Sequence, residues 1–119
     1  MVRLIILLFI GLLATPSYAD HSMKLSPNTD EHLFQCGSVF VLMSGVVKLA
    51  GDTEKSKRYR VKFDRLAVMA ESVFERTNRS KKEAEVYMQE HVDLYVALAQ
   101  KDARQVVAFT RVCDLRYPD

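Results

Sequence analysis

The sequence has few glycines and prolines, four and three in 119 residues, and only two cysteines. No segment is low in complexity and no repeat recurs at solenoid spacing, which excludes linker-rich and repeat architectures. The cysteines do not form a Cys-x-x-Cys pair, so neither a thioredoxin-like redox motif nor a Cys-x-x-Cys-His haem attachment is present. A structural zinc site needs four close ligands, and none of His21, His32 and His91 has a second histidine or a cysteine one helical turn away. Glycine-rich phosphate loops and recognisable Ser/His/Asp nucleophile motifs are also missing. Neither sign of charge dominates: the formal net charge is +2, too small for a global field that would draw the chain to nucleic acid. With no cofactor motif and a helical domain too small for a large cleft, the protein is read as a non-enzyme that holds no cofactor and no metal.

What is present begins at the N-terminus. One positive charge at Arg3 precedes an unbroken apolar run from Leu4 to Leu13, and Ser17 and Ala19 supply the small residues of a cleavage site before Asp20. This is the pattern of a secretory signal peptide over residues 1–19. Its apolar run is about ten residues, half of the roughly 20 that a spanning helix needs, so no stable membrane span is expected. Export disfavours nucleic acid as a partner. The compact leader suits the periplasm, with secretion as the alternative compartment.

The mature chain is read as a flexible arm over residues 20–27 and one helical domain over 28–119. Asn28 and Glu31 have the spacing of a capping-box variant at the start of the first helix. Beyond them Leu33, Cys36, Phe40, Met43, Val47 and Ala50 form one apolar stripe. A second stripe of Val39, Leu42, Val46 and Leu49 lies beside it. A helix apolar over so much of its circumference belongs at the centre of a bundle. Gly37, Ser38, Val41, Ser44 and Gly45 leave a face of mostly small side chains for close approach of a neighbour.

Gly51 has the place of a left-handed helix terminator, and Asp52 or Thr53 can cap the next helix. That helix runs to about Asn78 with Tyr59, Phe63, Leu66, Ala70 and Val73 on its apolar face and Phe74 flanking it. Asn78-Arg79 form a turn, and Ser80 with Glu83 is a full capping box. The third helix carries a stripe of Ala84, Met88, His91, Tyr95 and Leu98. His91, with Tyr87 and Tyr95 one turn to either side, reads as a hydrogen-bonded core histidine rather than a haem ligand opposite Met43. A single helix from Lys81 to Leu115 would be about 50 Å long, too long for a compact domain of this size. A tight turn is therefore expected at Gln100–Asp102, with a fourth helix turning Val106, Phe109 or Thr110 and Cys113 inward.

The predicted architecture is all-α, an up-down bundle of about four helices. In that topology the start of the first helix and the end of the fourth share one end of the bundle, which brings Cys36 and Cys113 together. An exported chain with an even cysteine count is expected to oxidise them to a disulfide. The closed loop of about 77 residues is worth about 4.5 kcal/mol in the chain-entropy model.

For function, the second helix carries the one concentrated charge. Lys55, Arg58, Lys62 and Arg65 lie on neighbouring turns of one face, a positive stripe suited to an acidic protein, an anionic envelope polymer or a lipid headgroup. The leading expectation is a small exported interaction protein that binds and inhibits, or scaffolds, another envelope protein, as an inhibitor or immunity factor does. An acid- or stress-responsive periplasmic chaperone and a small-ligand carrier are the rival readings. Glutamate at positions 62 and 65 is expected to slow association with an acidic partner. Val61, Val68 and Met69 form an extra apolar stripe on the second helix, which leaves room for a homodimer. N-terminal sequencing of the exported protein is expected to begin at Asp20; a mature chain that still carries Arg3 would identify an uncleaved anchor instead.

Overall fold

The computed structural model describes residues 24–119, so the signal peptide expected over residues 1–19 and the first part of the expected arm lie outside the described residues. Four helices follow one another: α1 (Glu31–Leu49), α2 (Thr53–Arg76), α3 (Lys81–Lys101) and α4 (Ala103–Arg116). Helix α1 is the axis of the fold. Every residue from His32 to Phe40 is buried, and α1 packs against α2, α3 and α4 in turn. By length and composition alone α1 could cross a membrane, but two-thirds of its most apolar window is buried against the other helices. Its C-terminal third emerges from the core, leaving Val46 and Leu49 exposed.

The turns form where the local chemistry requires them. Gly51 has φ +89°, a left-handed conformation that a Cβ disfavours. Asp52 then caps α2 by accepting a hydrogen bond from the Lys55 amide at 3.0 Å. Asn78 also has positive φ, at 59°, and the capping box between Ser80 and Glu83 forms in both directions. The break between α3 and α4 is at Asp102, whose extended backbone ends one helix while its carboxylate accepts from the Arg104 amide of the next.

The apolar stripes of α2, α3 and α4 converge on α1. Leu66, Ala70 and Phe74 of α2, Met88 and Tyr95 of α3, and Val106 and Phe109 of α4 are all buried. Val106, Phe109, Thr110 and Cys113 face inward together, so α4 turns a complete stripe to the core. Cys36 in the second turn of α1 is bonded to Cys113, with their Cα atoms 5.4 Å apart. This disulfide ties the central helix to the last one, and bonds of this kind form and persist in oxidising compartments.

Three local expectations are corrected. Glu31 does not reach back to Asn28: the α1 N-cap is Asp30, without a side-chain cap, and the Asn28 side chain accepts from the Asp30 amide in a turn before the helix. Residues 24–27 are not loose, because Gln35 holds them at both ends, accepting from the Ser26 amide and donating to the Lys24 carbonyl, each at 2.9 Å. The small-residue face of α1 admits two neighbours but is open at Gly45: α2 closes on Ser44, which is buried and whose carbonyl oxygen accepts from the Ser56 hydroxyl at 2.8 Å. A Cβ on Gly37 would meet the Met88 Cε at 2.9 Å, so α3 approaches there, whereas a Cβ on Gly45 would meet nothing within 4 Å.

The glycines therefore have opposite consequences for stability. Gly45→Ala is expected to raise the unfolding free energy by up to about 1 kcal/mol, because it removes a helix-interior glycine without a clash. Gly51→Ala is expected to lower it by about 1–2 kcal/mol through left-handed strain. Urea unfolding midpoints of the two variants measure both signs.

Candidate functional site

The four basic residues of the sequence-predicted stripe separate in the structure. Lys55, Arg58 and Arg65 are exposed, whereas Lys62 is buried at 5% relative exposure. The reason lies in helical spacing: Lys62 is three residues after Tyr59 and four before Leu66, which puts it on the buried face of α2. Its ammonium is 2.9 Å from Asp114 Oδ1 and 3.4 Å from Asp119 Oδ1, and 5.1 Å from the centroid of the Phe40 ring. Two carboxylates and one aromatic face thus compensate a charge that burial would otherwise penalise. Arg65 donates to the Pro118 carbonyl oxygen at 3.4 Å.

These contacts span a seam. Around α1 the order is α2, α3, α4; consecutive helices touch, but α2 and α4 do not pack closely against each other. The gap holds a cleft of about 490 Å³, lined by the buried Met43, Tyr59 and Lys62 and by Asp114, Pro118 and Asp119. Lys55 and Arg58 from α2 and Arg111 from α4 complete its lining. None of these three cations is in an ion pair among the described residues. Burial, and next the negative charge of Asp114, push the Tyr59 phenol above its ordinary pKa, so it remains a hydrogen-bond donor in the cleft at neutral pH.

Arg111, Asp114 and Asp119 were not marked by sequence reasoning. No spacing signal relates α4 to α2, so Arg111 and Asp119 become visible only once the helices are folded. Lys62 was legible in part, since a lysine at a stripe position implies a buried or snorkelling ammonium that needs a partner.

A second polar cluster ties α1 to α3. Glu31 Oε1 accepts from the Tyr87 hydroxyl at 2.6 Å and from His91 Nε2 at 2.8 Å, and His91 Nδ1 is 2.9 Å from the Tyr87 carbonyl oxygen. Burial, reinforced by the Glu31 carboxylate, pushes the Tyr87 phenol up to about 12. His91 is hydrogen-bonded as expected, but it is half-buried at the edge of the core, and its carboxylate partner comes from α1. Met43 does not converge with His91: Met43 lines the α2–α4 cleft, while His91 is held at the first turn of α1, twelve residues or about 18 Å away along that helix. Among the described residues no three His, Cys, Asp or Glu side chains are grouped as a metal site. Val61, Val68 and Met69 are exposed on α2.

The Lys62 cluster makes a stability prediction of its own. Asp114→Ala removes the nearer carboxylate from a buried ammonium and is expected to cost about 1–3 kcal/mol. Lys62→Met removes the charge itself and is expected to cost less, because an apolar side chain of similar length can replace it in the same position. Thermal or urea unfolding of the pair would contradict this account if the methionine variant were the weaker. Glutamate at position 62 would disrupt the fold, so Lys62→Glu is not a test of partner binding.

No protein-family model, curated protein or solved structure matches this chain.

Proposed function

We propose that this is a small exported protein of the periplasm that binds another envelope protein and inhibits or scaffolds it, as an inhibitor or immunity factor does, and that it docks through the rim of the α2–α4 cleft. The observation that carries this reading is the convergence of Lys55, Arg58 and Arg111, three exposed cations without ion-pair partners among the described residues, from two helices onto one cleft. Surface cations are usually dispersed or locally neutralised, as Lys57 is by Glu54 and Arg60 by Asp64 on the same α2. Cations left unpaired together raise the local potential and steer an oppositely charged surface into contact.

The frame behind them suits a binder. The disulfide joins α1 to α4, and α1 is packed against α2, so both walls of the cleft are fixed to one core. A preorganised surface loses less entropy on association than a mobile one. Arg58 and Arg111 also bring planar guanidinium groups that can hold carboxylates through two parallel hydrogen bonds.

Affinity capture from envelope extracts with the mature chain, disulfide intact, is expected to retain one stoichiometric partner. The double substitution Lys55→Glu and Arg58→Glu is expected to slow association by about tenfold or more at low salt, with the difference shrinking as salt screens the charges. Retention unaffected by the substitutions at either salt concentration would remove the docking surface. A diffuse set of clients captured only after acid treatment would assign a chaperone instead.

A further inference from the structure

The tail that follows α4 places a carboxylate in the cleft. Asp119 is three residues beyond the last residue of α4, yet its side chain meets the buried Lys62 ammonium at 3.4 Å, beside the Asp114 carboxylate at 2.9 Å. Tyr117 is half-buried and packs against the core, whereas Pro118 and Asp119 are exposed and held by little else. Tyr117 donates its amide to the Cys113 carbonyl as the helix ends, and the Pro118 carbonyl oxygen accepts a long hydrogen bond of 3.4 Å from Arg65. The Asp119 side chain remains mostly exposed while Lys62 is almost fully buried. An exposed acidic side chain thus reaches inward to a buried cation that already has a nearer carboxylate.

This arrangement has the properties of an exchangeable ligand. When Asp119 leaves, Asp114 still compensates Lys62, so release does not strand a bare buried charge. A second carboxylate arriving at Lys62 finds the cation already largely desolvated and fixed. Lys55, Arg58 and Arg111 line the same cleft and accommodate further acids from the same segment.

Resting on the docking reading above, we propose that the α2–α4 cleft binds an acidic peptide segment of the partner protein, and that the exposed Pro118–Asp119 segment is its built-in placeholder, displaced when the peptide binds. The partner's first carboxylate takes the position of Asp119 at Lys62, and neighbouring acids engage Arg58 and Arg111. The tail sets a threshold: only a segment with several carboxylates competes with an intramolecular one at high effective concentration.

The test uses the mature disulfide-bonded chain and a fluorescein-labelled octaglutamate peptide, with binding followed by fluorescence anisotropy. Saturable one-to-one binding is expected. Asp119→Ala is expected to tighten it about threefold or more, whereas Asp64→Ala, an equal change of charge on the exposed face of α2, leaves it within about twofold. Arg111→Glu is expected to weaken binding about tenfold, and Lys57→Glu, outside the cleft, far less. In the wild type, the backbone amide of Asp119 is expected to gain fast mobility in NMR relaxation when the peptide saturates, while that of Tyr117, anchored on the core, does not. The inference is overturned if Asp119→Ala matches Asp64→Ala, if Lys57→Glu weakens binding as much as Arg111→Glu, or if millimolar inorganic phosphate displaces the peptide completely, which would define a small-anion site. Absence of peptide binding, with partner capture still sensitive to Lys55→Glu and Arg58→Glu, would overturn the tail exchange and leave the docking surface standing. Capture insensitive to those substitutions, with peptide binding intact and tightened by Asp119→Ala, would support the exchange and remove its assignment to the captured partner.

Discussion

Helix α1 is buried on nearly every side over its first two-thirds, and water must be kept from the apolar residues that dominate it. A chain of this size can meet that demand only by wrapping three further helices around one axis. The consequences extend through the whole molecule. Turns are short, at Gly51, at Asn78–Ser80 and at the single residue Asp102, because each helix must return at once to the same centre. The small residue Gly37 admits Met88 and lets α3 come close. Cys36 and Cys113 are both fully buried in this core, where a disulfide joins the axis to its last and shortest cover.

Three helices around one do not close a ring. Contact runs from α2 to α3 and from α3 to α4, and the remaining seam between α2 and α4 is bridged by side chains. A lysine is suited to such a position, since its methylene stem covers apolar surface while its ammonium reaches across a gap. Burial of that ammonium then requires compensation, which Asp114 and Asp119 supply. The cleft is therefore a product of the packing problem: it is the part of the covering of α1 that is built from charged side chains instead of helix backbone. The same seam collects Lys55, Arg58 and Arg111, and there the structural demand and the proposed docking surface coincide.

Competition between local and tertiary partners decided the departures from the sequence reading. Glu31 has the spacing to cap its own helix, but Tyr87 and His91 approach it from α3 and satisfy the carboxylate with two hydrogen bonds at once. Gln35, in the midst of an apolar stretch, organises residues 24–26 in place of a loose arm. A short-range rule gives way where a long-range partner offers more hydrogen bonds in a drier place. Where no such competitor is present, as at Ser80 and Glu83, the capping box forms as its spacing requires.

Sequence alone determined the helical class, the four helices, their turns and the pairing of Cys36 with Cys113. The reason is that periodicity, capping and left-handed glycine are local properties, and short turns leave few topologies open. The positive stripe was legible as a row of four cations; its division was not. Lys62 is distinguished from Lys55, Arg58 and Arg65 by its alignment with Tyr59 and Leu66, a cue that becomes decisive only when α1 is in place to bury it. Arg111 and Asp119 belong to the cleft solely because α4 and its tail return beside α2, some 50 residues further along the chain. Tertiary structure decided the site because electrostatic pairing depends on distance in space, and no period in the sequence encodes the gap between two helices that do not pack closely and meet through side chains.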